Sequence, residues 1–441
     1  RATWPGVKQH VRIWVACASC AVAPQTEPQA SPCLASSRHI PFMVAFPALL
    51  VCLSATAAAS AGVATTTATT PAALDLPPTH RLIGYFDANS QAELPAVSVP
   101  YRNLTHLVLT NAVKVDNQGA LHLRAKAQAE DMEPGELIQL LARAPVKLVV
   151  SLRGHPDDVA LDELAEVDEL RERFATDMAA MVRDWGASGL EIEWHSDDPG
   201  GGKPLMAPFD TMEQYHFALL CRDLAGSLRA AGGKTLSVAV RPGRQEFADG
   251  AFVHHYIDWL ALRAYSMRSL GDPHHSSLKD MAQALDEWTA KGVPRQQLVL
   301  GTPLFARPGG SLHTANDRNE ALRLAWRDIA GSRLRVPPDG DQRGDVFLDV
   351  ETGKAWWASG IKTTRAKVQH LLRHGYGGIA FRDLHHDTWA PGHSLVQAAL
   401  EASREYRDAR RTRFSLTQPM SLFQRGLTRS RAGGGQRQEE L

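Results

Sequence analysis

The sequence contains few cysteines, no excess of either charge and no apolar run of membrane-spanning length. Only 5 of its 441 residues are cysteine, and Cys17, Cys20, Cys33 and Cys52 precede the part that has the character of a folded domain. Cys221 lies in an apolar helical run and is expected to be a buried thiol. The folded part therefore has no internal disulfide, and the lone C-x-x-C of Cys17 and Cys20 lacks the second pair typical of a zinc site.

The charge balance argues against one class of partner. Lys plus Arg and Asp plus Glu each number 48, so the formal net charge is zero. A nucleic-acid-binding protein normally carries a basic excess, so we expect no nucleic-acid partner. The hydrophobic fraction of 44% and the charged fraction of 22% are ordinary for a soluble globular domain. We expect a monomer that uses no cofactor.

The segment 1–61 resembles an upstream extension followed by a secretory signal peptide. Met43 begins an apolar run that ends at Leu53, and Ala59-Ser-Ala61 matches a cleavage site. The run is too short to span a bilayer. This pattern predicts a mature chain that is secreted or periplasmic and has no membrane span. A buried or disordered N-terminal segment is the other interpretation of the same residues, and 62–79 is predicted to be an Ala/Thr/Pro linker.

Eight apolar strand-like runs alternate with helical patterns between residues 80 and 404. The predicted strands are Leu82–Phe86, Leu104–Asn111, Lys147–Leu152, Gly189–Trp194, Leu236–Val240, Ile257–Ala264, Leu298–Thr302 and Gly378–Phe381. Asp168–Trp185 shows the clearest helical stripe. Eight such units predict an α/β fold of the (β/α)8 TIM-barrel type. The rival open sheet would carry a G-x-G-x-x-G after its first strand, which is lacking.

Two segments depart from the simple repeat. The stretch from about 308 to 362 is too long for a connection, and Val346–Val350 and Lys354–Trp357 flank a Thr-Gly turn. It predicts a small inserted β-hairpin subdomain between the seventh and eighth strands. Residues 405–441 are rich in Arg, Ser, Gly and Gln, which predicts a disordered tail.

Three strand motifs in the chain occur together in one known family. Arg81–Phe86, Gly301–Arg307 and Gly377–Phe381 resemble, in that order, the opening G-Y-F strand, the G-I-P-F-Y-G-R strand and the last strand of glycoside hydrolase family 18, the chitinase-like barrels. Lys354–Ala358 and Arg365–Val368 resemble the segment that leads into the last helix. The resemblance runs from about residue 81 to 399 and implies a barrel that binds a glycan at its C-terminal mouth.

The family's signature strand, D-G-x-D-x-D-x-E, is altered in this chain. It reads Ser188-Gly-Leu-Glu-Ile-Glu-Trp-His195, and strand alternation puts Glu191, Glu193 and His195 on the face toward the mouth. In the family the final Glu protonates the glycosidic oxygen, and the Asp before it orients the substrate's N-acetyl group. The resemblance therefore implies His195 at the acid position and Glu193 at the assisting one. Tyr265 is retained from the sixth-strand motif and completes the candidate catalytic positions.

Four arginines are predicted to face into the barrel where the family has other residues. They are Arg153, Arg241, Arg263 and Arg382, and Arg382 replaces the Trp that floors the sugar pocket. With Tyr85 and Trp356 they are the candidate ligand-binding residues. Two interpretations stay open. In one, the arginines form a salt-bridge network with Glu191 and Glu193. In the other, they form a site for a carboxylate or phosphate.

The sequence assigns no role to two further histidine pairs and predicts no metal site. The pairs His274-His275 and His385-His386 are interpreted as loop histidines. A metal held by Glu191, Glu193 and His195 is disfavoured because the arginines repel a cation, so no metal site is predicted.

The sequence thus predicts a chitinase-like secreted barrel that binds a glycan or a small anionic ligand and has lost chitin hydrolysis. One alternative is a family-18-type glycosidase that acts on a modified substrate with a relocated acid, Glu193 or Asp197. The other is a structural or interaction barrel. A stacked aromatic floor favours sugar binding, whereas closed Arg–Glu pairing favours the structural role.

Overall fold

The computed structural model describes residues 76–417 except 78, 117–118, 126–127, 129–130, 154–160, 194–210, 241–252, 266–273, 309–322, 331–344 and 350–354. The predicted signal peptide and all but the last residues of the linker lie outside this part. So do His195, Asp197, Arg241, the side chain of Arg153 and the turn of the predicted hairpin.

The described residues form strands and helices in an alternating order. The strands are β1 (Arg81–Asp87), β2 (His106–Thr110), β3 (Val113–Val115), β4 (Leu121–Leu123), β5 (Lys147–Arg153), β6 (Gly189–Glu193), β7 (Thr235–Val240), β8 (Trp259–Arg263), β9 (Leu298–Pro303), β10 (Phe305–Pro308), β11 (Leu324–Ala325), β12 (Val346–Leu348), β13 (Ala355–Trp357) and β14 (Gly378–Arg382). The helices are α1 (Pro134–Ala142), α2 (Leu161–Glu166), α3 (Asp168–Asp184), α4 (Thr211–Ala230), α5 (Leu278–Ala290), α6 (Trp326–Ala330), α7 (Ile361–His374) and α8 (Leu395–Thr417).

Eight parallel strands close into a barrel in the order β1-β14-β9-β8-β7-β6-β5-β2. Each of them overlaps one of the predicted strands, with ends that differ by no more than two residues. The predicted (β/α)8 TIM barrel is therefore confirmed. The sequence reveals these eight strands because strands covered by helices are apolar on both faces over most of their length.

Strand alternation divides the core into two layers. On β1, Leu82 and Phe86 belong to the large cluster between the strands and the surrounding helices, whereas Ile83 and Tyr85 belong to a smaller cluster inside the barrel. Trp259 of β8 fills the same interior. Burial of each large apolar side chain stabilises the fold by about 1.5–3 kcal/mol. The interior positions at the carboxyl ends of the strands are polar, and these form the site described below.

Helix α3 and the buried thiol agree with the predictions. The apolar stripe of α3 includes Phe174, Met178 and Val182, all fully buried. The helix ends at Asp184 with Trp185 as its C-cap, and Gly186 follows in the left-handed conformation with φ 69°, which glycine adopts without a steric cost. Cys221 is buried on α4 as expected.

The insertion between the seventh and eighth barrel strands is an antiparallel sheet. β12 and β13 pair with Phe347 opposite Trp356, which confirms the predicted hairpin. The sheet is larger than predicted, with the order β11-β10-β13-β12. β10 begins just after β9 and Leu304, so the barrel strand feeds directly into the inserted sheet.

The last helix, α8, continues to Thr417, beyond the residue where composition predicts a disordered tail. Ala402 and Ser403 are buried, and Tyr406 packs against the core. Glu405 pairs with Arg365 of α7. The charged residues belong to the exposed face of a helix, which composition alone cannot distinguish from a polar tail. Among the described residues, no helix has the length and hydrophobicity needed to cross a membrane.

Candidate functional site

The carboxyl end of β6 carries two inward-facing glutamates with different surroundings. Glu191 is fully buried among hydroxyl groups. The Tyr85 hydroxyl donates to its Oε2 at 3.0 Å, and the hydroxyls of Ser151 and Ser237 lie 3.4 Å from its oxygens. Ser151 and Ser237 are the residues in register with Glu191 on the neighbouring strands β5 and β7. Glu191 is thus held by three neutral donors.

Burial controls the protonation of Glu191 and of the tyrosine beside it. Burial raises the pKa of Glu191, and the hydrogen bond from Tyr85 and the charge of Arg382 offset the rise only in part. Burial and the nearby Glu191 also raise the pKa of Tyr85 well above its usual value. Tyr85 therefore stays a phenol that can donate its proton to the carboxyl oxygen.

Glu193 lies between two guanidinium groups. Nη1 of Arg382 is 3.2 Å from its Oε2, and Nη1 of Arg263 pairs with its Oε1. The side chain of Glu193 is 0% exposed, that of Arg263 4% and that of Arg382 11%. Arg382 also directs Nε to Oδ1 of Asp383 at 3.2 Å. The connected ion pairs Arg263–Glu193–Arg382–Asp383 therefore alternate in charge, and two positive groups balance two negative ones.

The environment keeps Arg382 and Asp383 ionised. Burial opposes the charge of Arg382, but Tyr265, Asp383 and other groups raise its pKa above the usual value. Burial would raise the pKa of Asp383, yet the charge of Arg382 lowers it overall. The guanidinium of Arg382 also lies over the ring of Tyr85, 5.2 Å from its centroid, a cation–π contact. Arg382 thus joins the two glutamate groups into one cluster.

The structure brings together five of the predicted site residues. Glu191, Glu193, Tyr85, Arg263 and Arg382 form the cluster just described, and the predicted inward direction of Arg263 and Arg382 is confirmed.

The other predicted residues lie around it or outside the described part. Tyr265 follows β8, is half-buried and meets the ring of Phe305 edge-on at 6.1 Å. Trp356 lies on β13, in the inserted sheet. His195, Arg241 and the side chain of Arg153 are outside the described residues. Contact of any of these residues with a ligand stays a prediction.

Sequence reasoning missed several polar groups at the same end of the barrel. Asp87, at the end of β1, accepts hydrogen bonds from the Asn89 backbone and from Nδ2 of Asn111, both at 2.9 Å. Burial raises the pKa of Asp87. The lone signal in the sequence is that Asp87 follows one predicted strand and Asn111 ends the next, where polar residues meet at one edge. The pairing of Ser151 and Ser237 with Glu191 depends on strand register, which the sequence does not show.

The two histidine pairs are not simple loop residues. His274 and His275 are buried, with Nε2 of His274 at 3.2 Å from Asp345 and the ring of His275 stacked on Phe305. Burial lowers the pKa of His275 well below its usual value. His385 and His386 lie in the short 3-10 helix Leu384–His386, directly after Asp383. His274 and His275 thus lie in a loop as predicted but are buried there, whereas His385 and His386 belong to a 3-10 helix and are partly buried.

Comparison with known proteins gives a consistent family. The family model of glycosyl hydrolases family 18 matches residues 81–387. "Probable chitinase 10" of Drosophila melanogaster is 24% identical over 271 residues, which cover 56% of this chain and 11% of that protein. "Chitotriosidase-1" of Mus musculus is 26% identical over 253 residues, 47% of this chain and 51% of that protein. The chain thus spans about half or less of these relatives.

A solved structure shares the fold at low identity. It is catalytic domain 2 of the group II chitinase of Ostrinia furnacalis, a mutant crystallised with the chitin oligosaccharide (NAG)5. The TM-score is 0.60 at 15% identity, and the match covers 74% of this chain and 97% of that one. At this identity the likeness concerns the fold.

Proposed function

This chain belongs to glycosyl hydrolases family 18, and we propose that it binds a chitin-like glycan at the mouth of its barrel without hydrolysing it. The observation that carries the proposal is the pairing of both Glu193 oxygens with guanidinium groups. Glu193 occupies the position at which the family's assisting carboxylate orients the N-acetyl group. A carboxylate engaged in this way has no oxygen available to orient a substrate.

The acid position supports the same proposal. His195 occupies it in the sequence. A histidine has an ordinary pKa near 6.5 and a reach different from that of glutamate. Misplacement of a reacting group by about 1 Å can cost about a hundredfold in rate. Both halves of the family's chemistry are therefore altered in this chain.

A relocated acid is disfavoured by the charges around Glu193. A general acid must hold a proton, and two adjacent guanidinium groups favour the ionised carboxylate instead. Glu193 is for this reason a poor proton donor. The other residue suggested for this role, Asp197, lies outside the described part of the chain.

The charge balance favours a neutral ligand over an anion. Arg263 and Arg382 already pair with Glu193, and Arg382 also pairs with Asp383. These two arginines therefore do not require an anionic partner. A neutral sugar is compatible with such a closed network, and the Ostrinia relative was crystallised with a chitin oligosaccharide. We expect sulfate and phosphate to leave the thermal midpoint of unfolding unchanged at matched ionic strength.

The pairing of Glu193 with Arg263 and Arg382 is also compatible with a structural or interaction barrel that binds no sugar. This is the second candidate function. Calorimetric titration with chitin oligosaccharides separates the two. We expect saturable binding that weakens about tenfold in Tyr265→Ala, because Tyr265 lies just beyond the carboxyl end of β8 and is half-buried there.

The matched control is Tyr256→Ala. Tyr256 is also half-buried, but it precedes β8 and so lies at the opposite end of the barrel. Its replacement is expected to leave the affinity unchanged. A wild-type protein that shows no binding at millimolar oligosaccharide would favour the structural role, and equal losses in the two variants would remove the mouth as the binding site.

A further inference from the structure

Three potential metal ligands meet at the end of the last barrel strand. Asp383 follows β14, and His385 and His386 lie in the 3-10 helix that comes next. One ligand atom from each residue lies within 4.8 Å of the other two. Zn²⁺ binds histidine nitrogen and carboxylate oxygen at about 2.0–2.2 Å, so at tetrahedral angles its ligand atoms lie about 3.3–3.6 Å apart. Small side-chain adjustments would bring the three atoms to that spacing.

The two histidines have ring nitrogens available for a ligand. Nδ1 of His385 and Nδ1 of His386 are buried and have no hydrogen-bond partner among the described residues. Buried polar atoms are nearly always satisfied by a protein group, a water molecule or an ion. The ring centroids lie 4.0 Å apart, and His386 meets the ring of Phe305 edge-on at 6.0 Å. A single cation would satisfy both nitrogens.

Neighbouring groups hold this cluster in place from outside. A Cβ on Gly84 would lie 2.7 Å from Cδ1 of Leu384, so the glycine lets the 3-10 helix pack directly on β1. Arg327 donates from Nη1 to the backbone oxygen of His385 and from Nη2 to Oε2 of Glu93. These contacts fix the backbone of the 3-10 helix that carries both histidines.

Two nearby arginines oppose a cation, but both are already paired with carboxylates. Arg382 pairs with Glu193 as well as with Asp383, and Arg327 pairs with Glu93. Arg382 contacts Oδ1 of Asp383, and none of the described residues is shown hydrogen-bonded to the second carboxylate oxygen. Two imidazoles and one carboxylate form a donor set that suits Zn²⁺ and similar divalent cations better than Ca²⁺ or Mg²⁺.

We propose that Asp383, His385 and His386 form a binding site for a divalent transition-metal cation of the Zn²⁺ type at the edge of the barrel mouth. This site is distinct from the metal site of Glu191, Glu193 and His195 that the sequence disfavours. It uses none of the family's catalytic positions. Asp383 connects it to Arg382 and so to the Glu193 cluster.

Zn²⁺ binding to the untagged full chain tests the proposal. Protein freed of metal with a chelator is titrated with ZnCl2 by calorimetry, and the loaded protein is measured by X-ray absorption at the zinc edge. We expect one Zn²⁺ per chain, with two imidazole ligands in the absorption spectrum. His385→Gln and His386→Gln should each weaken the affinity at least tenfold.

The chain offers two matched controls. His254 and His255 are adjacent histidines whose ring centroids also lie 4.0 Å apart, and His370 and His374 face each other on α7 at 4.2 Å. The double variant His254→Gln/His255→Gln and the variant His374→Gln should bind Zn²⁺ as the wild type does.

Three results would overturn the proposal. They are a wild-type protein without stoichiometric Zn²⁺ binding, an absorption spectrum without two imidazole ligands, or a loss of affinity in either control that equals the loss in His386→Gln. The spectrum is measured on the wild type, so it decides even if the cluster variants fail to fold.

Discussion

Arg382 at the end of β14 donates through Nη1 to Oε2 of Glu193 at the end of β6, over 3.2 Å. The two strands are four places apart in the closed sheet, so the contact crosses the inside of the barrel. Arg263 of β8 reaches the other oxygen of the same carboxylate. The place where the resemblance implies an aromatic sugar floor is thus occupied by a charge cluster that links three strands.

Replacing Glu193 should destabilise the protein much more than replacing Glu191. Glu193→Gln leaves Arg263 and Arg382 buried without the carboxylate between them, and such losses cost about 3–5 kcal/mol. Glu191→Gln puts an uncharged amide of the same size among hydroxyls that can accept as well as donate, and should cost about 1 kcal/mol. Chemical denaturation of the two variants measures both values. Equal losses would refute the assigned pairing.

The protonation of Glu191 should make stability fall as pH rises. Burial raises the folded-state pKa of Glu191 above the usual value of 4.5, so the folded state holds a proton that the unfolded state releases. The contribution is fully present below pH 4.5 and is lost as pH rises through the folded pKa. The unfolding free energy of the wild type, measured relative to that of Glu191→Gln, should therefore decrease above pH 4.5. A difference that is constant from pH 4 to 8 would contradict this prediction.

Lys367 should make stability rise at alkaline pH. It is fully buried on α7, and Nζ donates to the backbone oxygen of Ser276 at 2.8 Å and to the hydroxyls of Ser276 and Ser359 at 2.9 and 2.8 Å. Burial lowers its pKa from 10.5 to about 7. Between these values the unfolded state binds the extra proton, so stability is greatest above pH 10.5 and is lost as pH falls to about 7.

The slope of stability against pH provides the measurement for Lys367. The wild type should gain up to about 1.4 kcal/mol per pH unit between pH 7 and 10 relative to Lys367→Met. The slope decides, so the prediction is independent of how much the variant itself is destabilised. Parallel curves for the two proteins would show that Lys367 does not titrate in this range.

Export of the chain is a separate prediction from residues 43–61. Cleavage after Ala61 should give a mature chain that begins near Gly62. Expression in a secreting host followed by N-terminal sequencing of the exported protein measures this directly. Ala59→Arg should block cleavage, since small residues are required at that site, whereas Ala68→Arg, in the predicted linker, should not. Protein retained in the cytosol with an intact N-terminus would show that the segment is no signal peptide.

The sequence determines much of this fold because its signals are local. The eight barrel strands are apolar runs, and alternation along them correctly predicted that Arg263 and Arg382 face inward. Pairing is not local. Ser151 and Ser237 meet Glu191 only through the register of β5 and β7 with β6. The choice of Glu193 as the common partner of two arginines likewise depends on the closure of the sheet.

Local composition does not show two surfaces that form only when distant parts of the chain pack together. The Arg-rich residues after 404 continue as the exposed side of α8, because Ala402 and Tyr406 on its other side pack against the barrel. His274 and His275 lie in a loop as predicted, but the sequence does not show that the inserted sheet covers them, with Trp357 of β13 edge-on to His274 at 5.9 Å. Neither contact follows from a window of neighbouring residues.

The central proposal is that this family member does not hydrolyse chitin, because a closed charge cluster at the barrel mouth engages Glu193. The most direct measurement is the release of sugar from chitin oligosaccharides by the wild type and by His195→Glu. We expect both proteins to release no more than a boiled sample, because Glu193 remains paired with Arg263 and Arg382 even when an acid is restored at residue 195. Turnover of chitin oligosaccharides above the boiled sample by either protein would contradict the proposal.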